Sequence, residues 1–138
     1  MKEYKAHRKT KNVLTEHQEQ ALFMSWLELQ HPDLHDKTFA IPNGAWLAGN
    51  AKQRAQMVAK YKREGLKKGV PDIQCIVRKN GYSGLVIEFK SDYNRPKSEQ
   101  IEWLNRYKNE GWFVAVCWSF EDGQQAVKDY ISGEVGNE

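Results

Sequence analysis

Apolar positions along this chain change period several times, and each change marks an element. Leu22, Phe23, Trp26, Leu27 and Leu29 recur at the spacing of one helix face. Ahead of them, Thr15-Glu16-His17-Gln18 has the form of a capping box, with Thr15 at the N-cap and Gln18 at the third helical position. The first helix is expected to stop near His31, because Pro32 disfavours helix in the residue before it. Residues 38–41 (Thr-Phe-Ala-Ile) form a short strand candidate, closed by the turn signal Pro42-Asn43-Gly44. A second helix is expected over much of 46–64, ending at Gly65.

The next stretch reads as extended chain. Residues 72–77 (Asp-Ile-Gln-Cys-Ile-Val) and 85–90 (Leu-Val-Ile-Glu-Phe-Lys) are strand candidates, and the Asn80-Gly81 turn signal between them predicts a hairpin. Pro96 and Ser98 open a third helix, whose apolar positions Ile101, Trp103, Leu104 and Tyr107 run to a stop at Gly111. Residues 112–118 are apolar nearly throughout, which suits a strand in the sheet interior. Ser119, with Asp122 three positions on, caps a last helix reaching about residue 131. The order αβαββαβα predicts an α/β fold, a mixed sheet flanked by helices. Residues 1–13 are polar and basic without periodicity and are read as a flexible arm, 14–132 as one domain, and 133–138 as a tail.

With 138 residues, 40% of them hydrophobic, the chain is large enough to bury one core. No apolar run approaches the ~20 residues that span a bilayer, and the N-terminus lacks a signal-peptide pattern, so a cytoplasmic protein is expected. Cys75 and Cys117 each sit in an apolar run, far from every histidine, which fits buried free thiols and argues against zinc. The net charge of +3 alone names no partner. Its distribution says more: residues 2–11 and 52–68 carry two basic stretches.

Glu88-Phe89-Lys90 is where chemistry enters. Residues two apart on a strand share a face, so the carboxylate and the ammonium project together. A hairpin turning at Asn80-Gly81 sets Asp72 opposite them or one diagonal step away. Two acids and a lysine then meet at one spot, provided that the register holds. Asp72 and Glu88, with the Phe89 carbonyl, suit magnesium, which favours hard oxygen ligands and retains several waters. Lys90 can orient an attacking water or balance charge on a phosphate. Glu-x-Lys alone is a common surface ion pair; the weight rests on its pairing with Pro71-Asp72 across a hairpin.

The flanks of this constellation resemble the VRR-NUC (virus-type replication-repair nuclease) family. The resemblance is carried by Gly-Leu-Lys-Lys-Gly-Val-Pro-Asp-Ile at 65–73, Gly-Leu-Val-Ile-Glu-Phe-Lys at 84–90, then Gln100 and Gly111, with Ile41-Pro42-Asn43-Gly44 upstream. It covers roughly residues 13–120 and implies a PD-(D/E)xK nuclease of restriction-endonuclease-like αβββαβ core. It also implies magnesium-dependent hydrolysis of DNA phosphodiesters, with manganese able to substitute, by Asp72, Glu88 and Lys90, with Gln100 beside the site. Many such nucleases add a glutamate from the first helix. Glu16 and Glu19 both qualify, and helix phase favours Glu19, which shares a face with Leu22 and Phe23. Lys67, Lys68 and Asn43 are candidate DNA contacts. Trp26, Trp103 and Trp46 are expected to pack inward. Small stand-alone relatives, many of them from phages, imply a homodimer acting on branched DNA such as four-way (Holliday) junctions. The other readings are a sequence-preferring or nicking endonuclease and a catalytically silent DNA-binding module.

Overall fold

The computed structural model describes residues 1–10, 14–42 and 48–133. The expected helices and strands are present, with shifted ends and two additions. Helix α1 (Glu16–Gln30) begins with the reciprocal capping box: Gln18 N donates to Thr15 Oγ1 at 3.1 Å, and Thr15 N donates to Gln18 Oε1 at 2.9 Å. Pro32 ends α1 and opens a four-residue turn of helix, α2 (Pro32–His35), leading to strand β2 (Thr38–Ala40). Helix α3 (Ala51–Arg63) starts later than 46, because Asn50 and Gln53 form a second capping box there. Asn43, Gly44 and Trp46 lie outside the described residues.

Strands β3 (Ile73–Cys75) and β4 (Leu85–Phe89) form the expected antiparallel hairpin. Asn80 (φ 50°) and Gly81 (φ 83°) are both left-handed, the combination that turns a hairpin with the natural strand twist. Helix α4 (Ser98–Asn109), strand β5 (Phe113–Cys117) and helix α5 (Phe120–Ser132) complete the chain, with Ser119 capping α5 and Gly133 ending it. Within this order, α1-β2-β3-β4-α4-β5 is the αβββαβ core, interrupted by α2 and α3.

The reading of residues 1–13 as a loose arm does not hold at their start. Lys2–Tyr4 form strand β1, parallel to β5, at one edge of a five-stranded sheet of order β1-β5-β4-β3-β2. Three residues are too few to show a period, so this strand was invisible in the sequence. The central strands β4 and β5 pair in parallel and are buried at every residue.

Strand alternation divides the core in two. Ile87, Phe89, Phe113 and Ala115 face α1 and α5, meeting Phe23, Leu27, Ala126, Val127 and Tyr130. Val86, Val114 and Val116 face α4, meeting Leu104 and Trp118. Leu22, Leu29 and Ile101 stay exposed, and Trp26 and Trp103 are only half-buried, because each helix seats a narrower stripe than its apolar residues offered. Cys75 and Cys117 are buried and unbonded to each other. Among the described residues no helix is long and apolar enough to cross a membrane.

Candidate active site

The β3–β4 register pairs Ile73 with Ile87. One further step sets Asp72 opposite Glu88, at the carboxyl end of β4. Glu88 and Lys90 follow Val86 in the alternation, so they point to the α4 face. Lys90 Nζ lies 3.5 Å from Glu88 Oε2. Phe89 N donates to Asp72 Oδ2 at 2.8 Å, which ties the two strands at this point. A strand residue's N–H and C=O face the same neighbour, so the Phe89 carbonyl is directed to the side on which Asp72 sits. From α4, Gln100 Nε2 donates to Glu88 Oε2 at 3.2 Å, while Gln100 Oε1 accepts from Lys97 N at 2.8 Å. Four of the residues singled out from the sequence therefore share one site: Asp72, Glu88, Lys90 and Gln100.

Three of these four are charged and almost closed to solvent, Asp72 at 9%, Glu88 at 2% and Lys90 at 8% exposure. Burial, and then the neighbouring Asp72 charge, push the Glu88 carboxyl up to about 9, against a smaller opposing pull from Lys90. Glu88 Oε1 is buried with no hydrogen-bond donor. A buried orphan oxygen is costly unless something positive meets it. Two adjoining carboxylates, one with an unsatisfied oxygen, fit a small divalent cation. Among the described residues no three His, Cys, Asp or Glu side chains cluster closely enough to hold a metal alone. Such an ion would rest on two carboxylates, the Phe89 carbonyl and water, the sparse protein donor set that magnesium accepts.

The loop before Asp72 is held against α4 by one glycine. Gly69 has φ +91°, and a Cβ there would come within 2.8 Å of the Glu99 backbone. Only glycine allows that approach. Lys67, Lys68 and Gly69, with Lys62 of α3, Lys97 at the N-cap of α4 and Gln100 within it, line a cleft of about 400 Å³. Gln100 connects this basic cleft to Glu88. Lys68 Nζ is 3.3 Å from Glu99 Oε1 and remains largely exposed. Lys97 was not singled out from the sequence; its signal was its place three residues before Gln100, at the start of the same helix.

Glu19 does not join the cluster. Its Oε1 accepts from Lys9 Nζ at 2.8 Å and its Oε2 accepts from Phe120 N, so both oxygens are committed to closing the α1/α5 side. Helix phase showed correctly that Glu19 points inward. It could not show that α1 packs on the sheet face opposite Glu88 and Lys90. Glu16, one turn nearer the helix start, reaches past the end of β4: its Oε2 accepts from Ser91 N at 3.1 Å and from Ser91 Oγ at 3.2 Å. Asn43, the remaining candidate DNA contact, lies outside the described residues.

The VRR-NUC domain model matches residues 2–121 of this chain. A solved structure described as a VRR_NUC domain protein is similar with a TM-score of 0.72 and 26% sequence identity, over 86% of this chain and 89% of that one. No curated protein matches the chain.

Proposed function

The chain belongs to the VRR-NUC domain family, whose members are nucleases, and on that premise we propose that it is a magnesium-dependent DNA endonuclease centred on Asp72, Glu88 and Lys90. The observation that carries this reading is the buried Asp72–Glu88 pair, with its orphan Glu88 oxygen, beside Lys90 and joined through Gln100 to a lysine-lined cleft. Nucleases of this family are generally metal-dependent. Bound by Asp72, Glu88 and the Phe89 carbonyl, magnesium would supply an acidified water and draw charge from the scissile phosphate, and manganese would substitute.

The protein's own groups divide the remaining work. Lys90, held 3.5 Å from Glu88, orients the attacking water or neutralises charge growing on a phosphate oxygen. Gln100 fixes Glu88 through Oε2, and Oε1, which has no hydrogen-bond donor, would be the oxygen available to a cation. Glu16 acts as a positioning residue, since its two bonds to Ser91 hold the backbone immediately after Lys90. Lys62, Lys67, Lys68 and Lys97 receive the flanking phosphates in the cleft.

For the substrate we adopt branched DNA, four-way junctions above all, cut by a homodimer. One Asp72-Glu88-Lys90 cluster hydrolyses one bond at a time, and a two-fold-symmetric substrate is met most simply by a protein of the same symmetry. The test incubates purified protein with labelled four-way, flap, fork and linear duplex DNAs, with and without magnesium, alongside light scattering. Paired incisions across a junction by a dimer are expected. Cleavage of linear duplex at least as fast as any branched form would overturn the substrate reading, and no cleavage of any DNA would overturn the nuclease assignment for this chain.

A further inference from the structure

Beyond the cluster, the loop leaving Lys90 presents an aromatic side chain to solvent. Tyr93 is 65% exposed and belongs to neither core cluster. Its loop is nevertheless held at several points. Ser91 is fixed by Glu16, Asn94 N donates to Ser91 O at 3.0 Å, the Asn94 carbonyl accepts from Trp118 Nε1 at 2.9 Å, and Arg95 Nη2 donates to Glu3 Oε2 at 2.7 Å. The Arg8 guanidinium lies over the Tyr93 ring, 4.7 Å from its centroid. Arg8 is fixed in turn, because His7 N donates to Asp122 Oδ1 and Lys9 bridges Glu19 and Glu121. Two separately anchored segments thus meet to form an exposed ring backed by a cation.

We propose that Tyr93, backed by Arg8, is a stacking platform for one unpaired base of the DNA substrate. This rests on the nuclease reading and adds to it a contact for a base splayed out of its pair near the cut, as at a branch point or a flap. An aromatic face gains little from a paired base, whose faces are already stacked within the helix, but it can stack on any base that is splayed out. Arg8 covers part of the ring and adds cation–π and phosphate attraction, and Arg95 supplies a second positive charge on the same loop. Tyr93 is three residues from Lys90, so their Cα atoms are at most about 11 Å apart along the chain. A base held there belongs to a nucleotide close to the scissile phosphate.

The test uses the full chain with calcium in place of magnesium, so that binding is read without cleavage. The probes are a flap with 2-aminopurine at successive unpaired positions, and a fully paired duplex. Wild type should bind the flap more tightly and quench 2-aminopurine at one position. Tyr93→Ala should weaken flap binding about tenfold, the contribution of one stacked base, and remove that quench. Tyr93→Phe should retain both, and duplex affinity should be unchanged throughout. Equal flap affinity in wild type and Tyr93→Ala would overturn the proposal, and so would an equal loss on the duplex or a failure of Tyr93→Phe to retain binding. A wild-type protein that binds neither DNA would instead sink the nuclease reading, so the two failures are distinguishable.

Discussion

Burying Glu88 beside Asp72 costs folding free energy that a bound cation would relieve. In the unfolded chain this carboxyl ionises near 4.5, whereas in the folded protein its pKa is raised to about 9. Between those values the folded state keeps a proton that the unfolded state has released. The stability linked to that proton is full below the lower value and is lost as pH rises through the higher one. Glu88→Gln does not ionise, so in EDTA its Tm should exceed that of wild type by several degrees near pH 9 and converge with it near pH 5. A wild type that is the more stable at alkaline pH would contradict this. The first-helix acids divide differently. Glu19→Ala removes the acceptor of the Phe120 N–H and leaves Lys9 to Glu121 alone, and should cost about 1–3 kcal/mol in denaturant unfolding. Glu16→Ala should leave stability nearly unchanged while slowing cleavage. Slower cleavage in Glu19→Ala at full stability, with Glu16→Ala unaffected, would return Glu19 to the site. Glu88 and Lys90 were legible as a pair because alternation along a strand is a local rule. The partner of Asp72 was not legible, because the Lys79–Tyr82 bridge at the turn and the Ile73–Ile87 pairing differ by one residue in register, and that shift is what sets Asp72 opposite Glu88. The choice between Glu16 and Glu19 was not, because a helix period carries no information about which face of the sheet the helix covers.

At the scale of elements, the N-terminal segment changes meaning most. Its basic, aperiodic sequence reads as a flexible arm, yet its first residues supply an edge strand. Tyr4 is buried and donates to Asp129 Oδ2 at 2.8 Å, and burial together with that carboxylate drives its phenol well above the ordinary range. Burial works against the Lys9 charge, but Glu19 and Glu121 outweigh it and hold the ammonium above its usual value. Deleting residues 1–9 should therefore cost at least about 2 kcal/mol, from one buried aromatic and its hydrogen bond, in urea unfolding. An unchanged midpoint accompanied only by weaker DNA binding would restore the flexible arm. Longer elements were readable because caps and periods agreed, as at Thr15 and Ser119. The onset of α3 was harder to place because Gly49 and Asn50 break the apolar pattern just where a capping box begins.

For the whole molecule, the net charge of +3 says little, but the placement of lysines around one cleft says more. Binding through that cleft should release counterions and weaken steeply with salt. Replacing Lys67 and Lys68 together by Ala should reduce the log–log salt slope by up to about 1.8, near 0.9 for each phosphate left without its lysine, and weaken all sequences alike. An unaltered slope would place the DNA elsewhere on the surface. The central claim is that Asp72, Glu88 and Lys90 form one metal-dependent hydrolytic centre. It is tested most directly by single-turnover cleavage of one labelled four-way junction in magnesium, calcium and EDTA, by wild type and by folded Asp72→Asn and Lys90→Ala. We expect cutting by wild type in magnesium, little in calcium and none in EDTA, with both variants inactive in every condition; undiminished cutting in EDTA, or by Asp72→Asn in magnesium, would contradict the account.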